Sequence, residues 1–218
     1  MHGRAPQRSR GDSMGIVEIL GIAASLSLLA GWRLYLTILA TGSAMHFGWL
    51  PLPDHLASLQ VLAEPWVLGV AAIGTLAEFF ADKVMWVDSA WDAIHSIVRP
   101  LGGALLALAL VDASDPTWQV IAFLLGGGGA LLSHGAKATT RAVVNASPEP
   151  FSNIAVSASE DVATGGLLAL AIAFPALAIG IAILLAIAAV AVVWVLGRLL
   201  RNIRRALNAA PTSISKPR

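Results

Sequence analysis

The sequence predicts an all-α membrane protein, a polytopic bundle of about six membrane-spanning helices. Hydrophobic residues make up 57% of the 218 residues and charged residues only 12%, whereas a soluble domain carries roughly 25% charged residues. The apolar residues form several long stretches, and a spanning helix needs roughly 20 of them in a row. The 20 glycines suit close packing of helices in lipid. The lipid bilayer is therefore the first predicted partner.

Six segments are candidates for spanning helices: 16–44, 66–83, 89–111, 118–141, 157–174 and 181–200. The last two come from one apolar region, 162–200. As a single helix that region would be on the order of 55–60 Å long, too long to cross a roughly 30 Å core once. Pro175 and Gly180 therefore divide it in two, and such interruptions leave room for broken or re-entrant helices.

Lysine and arginine predict the orientation, because cytoplasmic loops carry an excess of both. The N-terminus and the C-terminal tail are basic, whereas 46–65, 112–117 and 175–180 contain neither residue. We therefore expect both termini in the cytoplasm. The predicted domains are a disordered basic extension (1–13), a transmembrane domain (14–200) and a basic cytoplasmic tail (201–218). A signal peptide is the alternative for the N-terminus, but the apolar run continues to Ala44 without a clear cleavage motif.

The few remaining charges gather in two places, and the first has helical order. Glu78 and Asp82 are four residues apart and share a helix face. A stripe with helical spacing follows, formed by Asp88, Asp92, His95 and Arg99. Charges at membrane depth usually face protein or a water-filled cavity. The stripe therefore either lines such a cavity or extends above the membrane surface with solvated charges.

The second place is mostly basic. His134, Lys137 and Arg141 share one helix face, which is preceded by four glycines at 126–129. These glycines allow another backbone to approach or the helix to unwind. Glu160 and Asp161 have two interpretations: they complement the dipole at the start of the predicted helix 157–174, or they join the polar face.

Arg33 lies about half-way along the first segment, where it needs a partner. Glu78 or Asp82 on the neighbouring helix is the simplest choice. We further expect Glu78, His95, Lys137 and Arg141 to be buried and to face the bundle interior. Broad exposure at the helix ends would instead favour a structural or assembly role. The predicted substrate or ion pathway comprises Arg33, Glu78, Asp82, Asp88, Asp92, His95, Arg99, His134, Lys137, Arg141, Glu160 and Asp161.

Two short echoes raise the question of an internal repeat. Leu101-Gly-Gly-Ala-Leu-Leu-Ala-Leu-Ala is echoed by Thr164-Gly-Gly-Leu-Leu-Ala-Leu-Ala, and Gly31-Trp-Arg by Gly135-Ala-Lys. In the predicted topology the first pair of helices runs the same way and the second pair runs oppositely. One inverted repeat cannot contain both echoes, so the repeat stays open.

Several polar blocks together resemble a known family. They are Gly31-Trp-Arg-Leu-Tyr-Leu, Ala81-Asp-Lys-Val-Met-Trp-Val-Asp-Ser-Ala-Trp-Asp-Ala-Ile-His, Arg99-Pro-Leu-Gly-Gly-Ala, His134-Gly-Ala-Lys-Ala and Asn145-Ala-Ser-Pro-Glu-Pro-Phe-Ser-Asn. Over about residues 15–200 the chain is similar to the bacterial membrane proteins grouped as domain-of-unknown-function family 4126. The resemblance implies a multi-pass protein of the bacterial inner membrane and carries no established activity.

Four functions compete. A transporter or channel for a small solute or ion fits the polar stripes and interrupted helices best, and the basic face would suit an anionic substrate. A lipid flippase or scramblase and a structural or assembly protein are the alternatives. An intramembrane enzyme is less favoured: Asp88, Asp92 and His95 could hold a divalent metal, but the pattern is weak.

Some partners and chemistries are excluded or left open. The net charge of +1 gives no sign of nucleic-acid binding, and the absence of cysteine excludes disulfides and thiolate sites. We predict no cofactor. The sequence leaves open whether a metal binds and whether the protein forms a homo-oligomer.

Overall fold

The computed structural model describes residues 16–49, 54–111, 115–145 and 150–209. Within these ranges the chain forms helices only, which confirms the predicted fold class. In order they are α1 (Ile16–Trp32), α2 (Leu34–His46), a 3₁₀ segment (Asp54–Ala63), α3 (Pro65–Ala81), α4 (Met85–Leu108), α5 (Pro116–Val144), α6 (Pro150–Ala173) and α7 (Pro175–Ala209).

The first predicted segment, 16–44, is not one helix. Arg33 interrupts it, with φ −141° and ψ 83°, so that α1 ends at Trp32 and α2 begins at Leu34. The backbone still bonds across the break, because the Arg33 amide donates to the Leu29 carbonyl and the Thr37 amide donates to the Arg33 carbonyl. The interruption therefore places the arginine at a corner between two helices.

Two later boundaries also need correction. Helix α6 begins at Pro150, seven residues before the predicted start at Ser157. The division at Phe174 is as predicted, but Gly180 lies inside α7, which continues to Ala209. The predicted basic tail thus begins as helix. The predicted N-terminal extension and the rest of the tail lie outside the described residues, and the domain limits stay predictions.

Close contacts define the direction of the central helices. Gly126 of α5 lies beside Ala107 of α4, and Ser96 of α4 bonds His134 of α5, so α4 and α5 are antiparallel. Helix α1 runs parallel to α5, because Ser27 lies beside Gly126 and Gly31 beside Ala130.

Helix α7 also runs parallel to α1. Gly21 contacts Ile179 near the start of both helices, and Trp32 at the end of α1 shares a cavity with Val192. The starts of α1, α5 and α7 therefore lie together at one end of the bundle.

These directions bear on two predictions. Ile16 and Ala209 lie at opposite ends of the bundle, whereas the predicted topology puts the first and last helices' outer ends on one side; the termini themselves lie outside the described residues. The two helices that carry Gly31-Trp-Arg33 and Gly135-Ala-Lys137 run the same way, contrary to the predicted topology. A parallel rather than an inverted repeat is thus the arrangement that could contain both echoes.

Among the described residues, three helical stretches are long and apolar enough to cross a membrane by themselves: Pro116–Val144, Phe151–Ala171 and Leu177–Ala206. Two shorter apolar stretches, Gly21–Trp32 and Pro65–Ala81, accompany them. Large apolar side chains face outward, among them Ile73, Phe80, Ile97 and Leu105. Helices of this length, together with large apolar side chains on the outside of the bundle, identify a helical membrane bundle.

Candidate functional site

All twelve predicted site residues meet in one region, called here the charged cluster. Eleven of them are buried, at no more than 7% exposure, and the side chain of Asp161 is 26% exposed. The prediction that Glu78, His95, Lys137 and Arg141 face the bundle interior is confirmed. The alternative, in which these side chains are solvated at helix ends that project into the cytoplasm, is wrong for the described residues. Their use as a pathway stays a prediction.

Asp82 forms the centre of the charged cluster. It lies at the C-terminal end of α3 and is fully buried. Its Oδ2 accepts hydrogen bonds from Arg33 and from Lys137 at 2.9 Å, and Arg141 approaches to 3.5 Å. Of the two predicted partners of Arg33, Glu78 and Asp82, the structure shows the pair with Asp82. One carboxylate therefore joins the corner between α1 and α2 to two cations of α5.

Helix α6 closes the other side of Arg33. The guanidinium donates to the Ser157 carbonyl at 3.2 Å and lies 3.4 Å from Glu160 and 3.0 Å from Asp161. Glu160 also accepts from Arg141 at 2.8 Å. Because α6 begins at Pro150, these carboxylates lie in its third turn, so the predicted role at the helix start is wrong. They are partners in the charged cluster.

Arg99 organises a second centre within the charged cluster. Its guanidinium donates to Glu78 at 2.5 Å, to Asp92 at 3.1 Å and to Nδ1 of His134 at 2.7 Å. Arginine has no acceptor, so Nδ1 of His134 must accept and the proton of the neutral ring lies on Nε2. That nitrogen faces the hydroxyl of Ser96 at 3.1 Å. His134 is thus a neutral member of the face that the sequence predicted as basic.

His95 lies at the edge of the charged cluster. Its Nδ1 donates to the Trp91 carbonyl at 2.8 Å, and its Nε2 is 3.3 Å from the hydroxyl of Tyr35. The imidazole also stacks on Trp91. Aromatic neighbours, rather than charges, therefore hold this ring.

The proposed metal triad of Asp88, Asp92 and His95 does not assemble. Asp88 accepts from Asn145 at 3.0 Å, Asp92 pairs with Arg99, and His95 turns toward Trp91. Among the described residues no group of three or more histidine, aspartate or glutamate side chains is placed to hold a metal ion. The predicted metal triad is therefore wrong for the described residues.

The buried charges nearly balance. Four buried cations, Arg33, Arg99, Lys137 and Arg141, face five buried carboxylates, Glu78, Asp82, Asp88, Asp92 and Glu160. The partly exposed Lys83 and Asp161 form a long ion pair of 4.0 Å and cancel. With both histidines counted as neutral, the charged cluster and its neighbour Lys83 together carry one formal negative charge in excess.

Two cavities flank α5 at the level of the charged cluster. On the α4 side is an open crevice of about 520 Å³, bordered by Asp88, Asp92, Arg141 and Asn145. Between α1, α5, α6 and α7 is a second cavity of about 300 Å³, bordered by Lys137 and Glu160. The charged cluster thus forms the wall between two spaces.

The sequence interpretation missed polar residues of α6. Asn153 and Ser157 are buried; Asn153 accepts from Arg141 and donates to the Asp82 carbonyl at 3.1 Å. Together with Glu160 and Thr164 they follow the same spacing as the stripe on α4. Extending the predicted helix to Pro150 would have revealed it.

Comparison with known proteins bears on the family alone. Neither the curated proteins nor the solved structures contain a significant match to this chain. Residues 20–195, which include every member of the charged cluster, match the family described as "Domain of unknown function (DUF4126)". The match confirms the resemblance that the polar blocks indicated. The chain therefore belongs to the DUF4126 family of membrane proteins.

Proposed function

We propose that this protein is a transporter or channel that moves a small solute or ion along the charged cluster. The observation that carries the proposal is the burial of nine charged side chains from the α1–α2 corner and from α3, α4, α5 and α6. Charges inside a membrane protein are costly, and they mark ion or substrate pathways more often than they serve stability.

The two cavities support a pathway over a purely structural cluster. Ion pairs that only hold helices together have no need of adjacent open space. Here Asp92 and Arg141 border the crevice while Lys137 and Glu160 border the second cavity. Lys137, whose Nζ lies 3.8 Å from Glu78 and 3.9 Å from Asp92, could exchange partners as a charge passes.

The charge balance favours a cation or a coupling proton. The basic face of α5 had suggested an anionic substrate. Lys137 and Arg141 are already neutralised by Asp82 and Glu160, and the excess charge is negative. A permeating cation would complete this balance, whereas an anion would add to the excess.

A flux measurement tests the proposal. The purified protein is reconstituted in liposomes, and internal pH and cation uptake are followed after a pH or potential gradient is imposed. We expect flux above empty vesicles, and a loss of about tenfold in Asp92→Asn because a charged hydrogen-bonding group is removed. Lys83→Gln, at the cluster's edge, is the control and should retain flux. Absence of flux under every gradient, or full flux in Asp92→Asn, would overturn the proposal.

We further propose that the N-terminal end of α1 faces the outside and that the C-terminal end of α7 faces the cytoplasm of a bacterial inner membrane. The described lysines and arginines lie in or beyond the charged cluster, with four arginines at the end of α7, which the positive-inside rule places in the cytoplasm.

Cysteine labelling checks this orientation, since the native chain has no cysteine. An impermeant thiol reagent applied to intact cells should label cysteines at Ser13 and Thr117 and leave one at Asn208 unlabelled. Protection of Ser13→Cys together with labelling of Thr117→Cys would restore the orientation with both termini inside.

A further inference from the structure

The crevice between α4 and α5 is unusually rich in hydrogen-bond acceptors. Its volume is about 520 Å³, within the range of pockets that hold small organic ligands. Asp88 and Asp92 contribute two carboxylates, and Asn145 contributes an amide. Buried Oδ1 atoms of both Asp88 and Asn145 accept no hydrogen bond. Buried acceptors normally have a donor, so these two residues of the crevice wall can each accept a further hydrogen bond.

Arg141, the cation that borders the crevice, does not donate a hydrogen bond to the Oδ1 atoms of Asp88 and Asn145. The terminal nitrogens of Arg141 bond Asn153 and Glu160 on the far side. Only its Nε approaches Asp88 Oδ1, at 4.0 Å, which is beyond hydrogen-bond distance. Asp88 Oδ1 therefore has a cation at long range but no hydrogen bond, while Asp92 on the same wall pairs with Arg99 at 3.1 Å.

The remaining wall is small and uncharged. Ala93, Ala138 and Ala142 leave the space open, and Ser96 adds a hydroxyl. A compact charged head with several N–H donors would satisfy the acceptors and offset the negative charge. A metal ion fits less well, since no group of three or more histidine and carboxylate ligands converges among the described residues.

From this geometry we infer that the α4–α5 crevice is a binding site for a protonated amine, an ammonium group with N–H donors. This inference rests on the proposed function, since it names the class of cation that the charged cluster would take. The ammonium group belongs either to a small free amine or to the headgroup of an aminophospholipid.

The test measures binding to the full chain in phosphatidylcholine nanodiscs, by thermal unfolding and by retention of radiolabelled methylammonium. Methylammonium should stabilise the protein in a saturable way. Tetramethylammonium, which has the charge without an N–H donor, should not. Phosphatidylethanolamine added to the nanodiscs forms the second arm: competition with methylammonium would identify the lipid headgroup as a source, and its absence would identify the free amine.

Three variants test whether methylammonium binds in the α4–α5 crevice. Asp88→Asn should weaken binding about tenfold or more, because it removes the charge of the accepting group. Ala142→Leu should block binding by filling the crevice while leaving both carboxylates in place. Asp115→Asn is the matched control, since asparagine also caps a helix well and Asp115 caps the distant start of α5.

The outcomes separate this site from the proposed function. No saturable methylammonium binding, or binding that survives both Asp88→Asn and Ala142→Leu, would overturn the amine site. Binding without flux in liposomes would leave the site intact and overturn transport. Flux of another cation without amine binding would overturn the amine site and leave the proposed transport intact.

Discussion

The two ends of the bundle are held together by different means, although α1, α4 and α5 pass through both. At the charged end, ion pairs and hydrogen bonds connect the helices, with Asp82 and Arg99 as the two centres. At the apolar end, where α1, α5 and α7 begin, small residues such as Gly21 and Gly126 bring backbones together. A cavity of about 310 Å³ with an apolar wall lies there.

This difference separates what stabilises the protein from what it does. Small-residue packing is an ordinary source of helix association in lipid, and it needs no charges. Buried ion pairs often contribute little net stability relative to apolar side chains of the same volume. The charged end therefore contains more buried charged and polar side chains than helix packing requires, which suits a functional role.

The largest expected effect comes from breaking the charged end on one side only. Arg33→Ala leaves Asp82 and Glu160 with one cation fewer, and an uncompensated buried charge costs about 3–5 kcal/mol. The folded yield after solubilisation, measured by size-exclusion chromatography, should fall sharply. Arg33→Ala combined with Asp82→Asn should recover part of the yield. Additive losses in the double variant would contradict the pairing.

A smaller effect is expected where α1 packs closely against α5. A Cβ on Gly31 would overlap the carbonyl of Ala130, so Gly31→Ala should destabilise by about 1–3 kcal/mol, the usual cost of overpacking. Thermal unfolding followed by tryptophan fluorescence measures it. An unchanged unfolding temperature would mean that α1 and α5 are not in close contact.

The smallest effect should come from a glycine of the same α5 run. Gly128 has nothing within 4 Å of an added Cβ. Gly128→Ala should therefore be neutral or stabilise by about 0.5–1 kcal/mol, through the better helix propensity of alanine. Measured in the same unfolding assay, Gly128→Ala is the matched control for Gly31→Ala. A marked destabilisation here would indicate that Gly128 packs against another copy of the chain.

The sequence predicted the charged end better than its composition would suggest. Helical spacing alone placed Asp88, Asp92 and Arg99 on one helix face and left open whether that face is solvated. The cost of an isolated charge led to Glu78 or Asp82 as the partner of Arg33. The break at Arg33 was not predictable, because Gly31-Trp-Arg-Leu contains no proline and the corner depends on partners from α3 and α6. Asn153 and Ser157 were missed because α6 was predicted to begin too late.

Helix direction was the least predictable feature. The arginines that favour a cytoplasmic N-terminus precede α1, whereas the direction of α1 follows from contacts such as Ser27 with Gly103 and Gly31 with Ala130. Contacts between segments so far apart in the sequence cannot be predicted from local composition.

The central claim is that the charged end serves function rather than stability. The most direct measurement replaces the Glu78–Arg99 pair on both sides, as Glu78→Met with Arg99→Met, since methionine adapts to irregular buried space. Removing both partners leaves the net charge of the cluster unchanged. Asp92, which also pairs with Arg99, keeps Lys137 at 3.9 Å, so the unfolding temperature should stay near that of the wild type. The account predicts that this folded double variant loses cation flux in liposomes. A folded double variant with full flux would contradict it.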